Sequence, residues 1–88
     1  MFKVTSETAS GGVVLKLEGR LADAWVDELA RAASAAQRSG DEVTFDLGGL
    51  TFVDGRGVAL LRGVAGRGAR LTGGSPFIAA LIELERQI

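Results

Sequence analysis

The chain contains no cysteine and no histidine among its 88 residues. Without cysteine there is no disulfide, zinc–thiolate centre, iron–sulfur cluster or thiol nucleophile. Without histidine, the usual general base and the commonest metal ligand are both missing. Strong charge is lacking too: the formal net charge is −1 and the pI is near 5.3. That balance excludes a bulk basic surface for nucleic acid or anionic membrane. No apolar run approaches the roughly 18–20 residues of a membrane span. The opening residues, Met1 to Glu7, lack the form of a signal peptide. These absences predict a cytoplasmic, non-secreted module with no metal, no cofactor and no enzyme activity.

What is present suits one small globular domain covering residues 1–88. A chain of this length buries only about 60–65% of the surface its unfolded form exposes. Hydrophobic residues at 47% and charged residues at 24% fit a packed core rather than disorder. Glycine is abundant, with 13 residues, and most of them divide the chain into short elements.

Phe2–Ser6 alternates apolar and polar, as does Val13–Glu18, and Ser10-Gly11-Gly12 between them predicts a hairpin. Asp23–Arg38 reads as a helix with Asp23 as its N-cap. Its apolar face is expected along Trp25, Leu29, Ala32, Ala33 and Ala36, with Trp25 in the core. Val43–Leu47 reads as a third strand ended by Gly48-Gly49. A second helix follows Asp54-Gly55-Arg56-Gly57, with Val58, Leu61 and Val64 inward and Asp54 capping its first turn. Ala69–Thr72 reads as a short fourth strand. Ser75-Pro76 is the cap and first residue of a last helix bearing Phe77, Ile78, Leu81, Ile82 and Leu84.

The order β-β-α-β-α-β-α implies parallel pairing through right-handed crossovers. The alternate strand positions Lys3, Thr5, Lys16, Glu18, Thr44, Asp46, Arg70 and Thr72 predict one wet sheet face and one covered by helices. The expected fold is α/β: a four-stranded mixed sheet in the order 1-2-3-4, the first strand antiparallel, with helices mainly on one face.

Three stretches carry a family resemblance: Glu18-Gly19-Arg20-Leu21-Ala22-Asp23-Ala24, Val43–Leu47, and Leu50 to Leu61 with its Val53-Asp54-Gly55-Arg56-Gly57-Val58 centre. With Leu71-Thr72-Gly73-Gly74-Ser75-Pro76-Phe77, the ordered set resembles the STAS domain of anti-sigma factor antagonists and sulphate-transporter tails. The segment between Leu61 and Leu71 is shorter than is usual for that family. The resemblance implies a non-catalytic protein-interaction switch whose partner is an anti-sigma factor or a kinase-like ATPase. In that family the turn before the second helix presents Asp-Ser/Thr-x-Gly, and the partner kinase phosphorylates the hydroxyl. Here Asp54 matches the aspartate and Gly57 the glycine, but Gly55 stands at the phospho-acceptor position and has no oxygen to modify. Thr51 and Ser75 are the nearest hydroxyls in sequence.

The implied partner-binding residues are Asp54, Gly55, Arg56 and Gly57, with Arg62 on the expected exposed side of the second helix. Asp54 as a simple helix cap, and the two glycines as turn formers, are the plainer readings. Residues 1–54 carry five basic and nine acidic side chains, a balance of −4, whereas residues 55–88 carry five and two, a balance of +3. Either a solvated helix face or an acidic or phosphate-bearing partner accounts for this asymmetry. The wide apolar arc of the last helix, which includes Ile88, leaves a homodimer open. Two alternatives to the antagonist remain: an accessory STAS subunit of an ABC lipid transporter, and a nucleotide or small-ligand sensor using the helix starts near Asp54 and Ser75.

Overall fold

The computed structural model describes residues 1–86, with side chains described for residues 1–82 except Ala9. Four strands form one sheet in the order β1-β2-β3-β4. They are β1 (Phe2–Ala9), β2 (Gly12–Leu21), β3 (Glu42–Val53) and β4 (Arg70–Thr72); the helices are α1 (Ala24–Arg38), α2 (Gly55–Gly66) and α3 (Pro76–Arg86). β1 pairs antiparallel with β2, while β2–β3 and β3–β4 are parallel. This is the expected topology.

The alternation in the strands decides which face meets the helices. Leu15, Leu17, Val43, Phe45 and Leu47 are buried with Val26, Leu29, Ala33, Val58, Leu61, Val64 and Ile78 in one core. Lys3, Lys16, Glu18, Arg70 and Thr72 lie on the exposed side, where Lys16 meets Glu7 at 3.4 Å.

Two sequence expectations are corrected. Gly48-Gly49 does not end β3; the strand continues to Val53. The register moves from Lys16↔Asp46 to Glu18↔Gly49, which places a β-bulge at the glycines. A Cβ at Gly49 would stand 2.8 Å from the Leu17 carbonyl oxygen and 2.7 Å from Glu18 Cγ. Glycine is there because two strands approach closely, not because the chain turns. In α1 the expected face holds at Leu29 and Ala33, which are buried, and at Ala32 and Ala36, which are half-buried, but Val26 rather than Trp25 begins the buried stripe. Trp25 is 42% exposed and tilts against Phe2 with ring centroids 6.1 Å apart. The apolar arc of α3 is divided: Ile78 is buried, Leu81 and Ile82 are half-buried, and Phe77 is 63% exposed. Ile88 lies outside the described residues, as does the Leu84 side chain.

Because β2, β3 and β4 are parallel and each leads into a helix, all three helices start at the same end of the sheet. That end carries every residue of the Asp54 turn.

Candidate functional site

β2 and β3 leave the sheet side by side, ending at Leu21 and Val53. The Asp54 N–H donates to the Leu21 carbonyl at 3.1 Å and fixes the exit of β3 beside that of β2. Asp54 is extended, with φ −86° and ψ 179°, as an N-cap residue must be. Its Oδ1 accepts the Gly57 N–H at 2.7 Å. Its Oδ2 accepts the Asp23 N–H at 3.1 Å, thirty-one residues away in sequence. One carboxylate therefore ties the start of α2 to the loop that opens α1. The Gly57 N–H, and after it the Asp23 N–H and the Arg56 guanidinium, hold the Asp54 carboxyl below the usual carboxylate range against an opposing desolvation.

Asp23 occupies the N-cap position of α1 but makes no side-chain cap hydrogen bond, contrary to expectation. Its backbone sits at φ 56° and ψ −129°, a region disfavoured for residues other than glycine. That conformation points its N–H at Asp54. No sequence pattern announces this contact, because the two aspartates meet only once β2 and β3 have paired.

Gly57 is buried, and a Cβ there would stand 2.6 Å from Val53 Cγ2 and 3.0 Å from the Leu21 carbonyl oxygen. Its lack of a side chain lets the first turn of α2 press onto the strand ends. Gly55 is the opposite case: a Cβ would meet nothing within 4 Å. Arg56 is exposed and pairs with Asp27 of α1 at 2.8 Å, a partner absent from the sequence reading. Exposed pairs of this kind contribute only about 0–1 kcal/mol. Trp25 and Phe77 stand exposed at the first turns of α1 and α3.

Arg62 does not join this group. It lies more than one turn further along α2, half-buried, in a groove facing Ala79 and Ile82 of α3. The other arginines of the basic segment also separate: Arg67 Nε reaches Gln37 at 3.4 Å, and Arg70 is exposed on β4. Thr51 donates its hydroxyl to the Gly19 carbonyl at 3.1 Å. Ser75 accepts the Ile78 N–H at 3.2 Å, as a cap. Among the described residues no three His, Cys, Asp or Glu side chains gather as metal ligands, and no helix is long and apolar enough to cross a membrane. With both oxygens of Asp54 held by backbone N–H groups, the turn is built to keep a shape.

The fold is shared with solved structures. The anti-sigma factor antagonist SpoIIAA in its unphosphorylated form is 23% identical, with a TM-score of 0.72 over 92% of this chain and 82% of that one. The Bacillus cell fate determinant SpoIIAA in its phosphorylated form is 22% identical, with a TM-score of 0.71 over 94% and 83%. A DUF3478-family protein of SpoIIAA-like fold from Shewanella loihica PV-4 is 9% identical, with a TM-score of 0.58 over 98% and 77%. At such identities the likeness establishes the fold. No curated protein matches the sequence significantly. The family model described as "Mlab, STAS domain" matches residues 4–86, and the chain belongs to the STAS domain family.

Proposed function

We propose that this domain is a non-catalytic protein-interaction module of the anti-sigma factor antagonist type. Its partner is an anti-sigma factor or kinase-like ATPase, docked on the Asp54–Gly57 turn and the exposed first turn of α2. The observation that carries this reading is the construction of that end. Asp54 is spent inward on two backbone N–H groups, while Gly55, Arg56, Trp25 and Phe77 face outward. Exposed aromatic and arginine side chains are the residue types that dominate protein–protein binding energy. With Gly55 at the acceptor position the usual phosphate switch has no hydroxyl to act on, so binding is constitutive and set by abundance and competition.

A second reading makes the partner the ATPase subunit of an ABC lipid transporter. The match to Mlab-type STAS domains favours it, and the same end of the molecule serves as the contact.

Gly55→Ser separates the two, since a serine side chain enters open space there. With a cognate kinase and ATP, the wild type gains no phosphate by intact mass. Gly55→Ser gains one and leaves the complex, because the added charge of about −1.5 to −2 repels and must be desolvated. A stable complex with a transporter ATPase, with neither protein phosphorylated, selects the second reading. Phosphate on wild-type Thr51 or Ser75 overturns constitutive binding, and failure to bind either class of ATPase overturns the docking role.

A further inference from the structure

The two edges of the sheet are built differently. β4 is three residues long, a length that blunts an edge against further pairing. β1 runs eight residues, Phe2–Ala9, without proline, and its register on β2 holds from Phe2↔Gly19 to Ala9↔Gly12 with no bulge. On its other side it has no partner strand among the described residues. The Arg20 N–H donates to the Met1 carbonyl at 2.9 Å, which sets the phase of the β1–β2 ladder. Lys3, Thr5 and Glu7 turn their backbone groups to β2, and Phe2, Val4, Ser6 and Thr8 turn theirs to the open edge. The side chains follow the same alternation. Phe2 is buried and Val4 half-buried against the core, whereas Lys3 and Glu7 are exposed on the other face.

We propose that β1 pairs antiparallel with β1 of a second copy of this chain, about a two-fold axis at Thr5, joining the two four-stranded sheets into one. The open N–H and C=O groups of Phe2 then meet those of Thr8, and those of Val4 meet Ser6. Between them Lys3 stands directly opposite Glu7 of the second copy, twice by symmetry. These are the non-hydrogen-bonded positions, where facing side chains come closest. The bonding phase admits only registers that set even-numbered residues against even-numbered ones. Among these, an axis at Lys3 or Glu7 opposes like charges, and an axis at Val4 or Ser6 takes Lys3 away from Glu7. Charge therefore selects one register with one occupant. The axis stands normal to the sheet, so both helix layers share a face and the two Asp54 turns lie at opposite ends. This contact is independent of the docking role and leaves both turns free.

The test is sedimentation equilibrium combined with amide hydrogen exchange on the ¹⁵N-labelled domain. Wild type dimerises as its concentration rises toward about 1 mM, and exchange at Phe2, Val4, Ser6 and Thr8 slows in step. Lys3→Glu and Glu7→Lys each weaken self-association about tenfold or more, since two facing pairs change from attraction to repulsion. An equimolar mixture of the two variants restores it, because every facing pair is again of opposite charge. If either variant fails to fold, concentration-dependent protection of the four amides on wild type decides alone. Five results overturn the proposal: a monomer up to about 1 mM, variants that dimerise as wild type, a mixture no tighter than its components, protection on another surface, or protection of these amides only when an ATPase-type protein is added.

Discussion

At the scale of single residues, Asp54 and Asp23 form one device. Asp54 accepts from Gly57 and from Asp23, so removing its carboxylate releases both the helix cap and the loop before α1. Asp54→Ala is expected to lower stability by about 1 kcal/mol, the usual worth of such a cap, read from urea midpoints at neutral pH. The folded protein holds this carboxyl below its ordinary pKa. Its contribution is therefore full above the ordinary carboxylate value and fades as pH falls through the lowered one. The gap between wild type and Asp54→Ala should close on acidification below about pH 4; a gap that persists there would contradict the assignment. Asp23 is the converse case. Its backbone occupies a glycine region, and such strain costs on the order of 1–3 kcal/mol. Asp23→Gly should keep the N–H on Asp54 and raise stability by about 1 kcal/mol, whereas Asp23→Ala should bring no gain.

At the scale of elements, the four glycines around the site have different jobs, and the sequence pattern did not distinguish them. Gly57 is required by contact with Leu21 and Val53, whereas Gly55 is unconstrained. Gly57→Ala should cost about 1–3 kcal/mol through overpacking, while Gly55→Ser should stay within about 0.5 kcal/mol of wild type, both by thermal or urea denaturation. Gly48 and Gly49 were legible as a break but not as a bulge, because a bulge depends on the register against β2. Alternation and capping residues located all seven elements, since those signals are local: Ser75-Pro76 opens α3 and Asp54 caps α2 as read. The inward stripe of α1 was legible at Leu29 and Ala33 but not at its start, where Val26 is buried and Trp25, large and apolar, rests at the helix edge against Phe2. The Asp23–Asp54 bond and the Arg56–Asp27 pair join residues far apart in sequence, and only the assembled sheet brings them together.

At the scale of the whole molecule, parallel β2, β3 and β4 deliver three helix starts to one end, while the basic C-terminal segment is scattered. Arg56 faces α1, Arg62 faces α3, Arg67 meets Gln37 and Arg70 lies on β4. The charge asymmetry of the sequence is thus not a single patch, and the docking claim rests on the end of the sheet. The most direct test titrates the labelled domain with the proposed ATPase-type partner and follows the amide signals, with wild type and with Arg56→Glu. Signals of Asp23, Trp25, Gly55, Arg56 and Phe77 should move, and Arg56→Glu should weaken binding about tenfold or more. Movement confined to Lys3, Lys16, Thr44 and Arg70 on the other sheet face, with Arg56→Glu binding as wild type, would contradict the account.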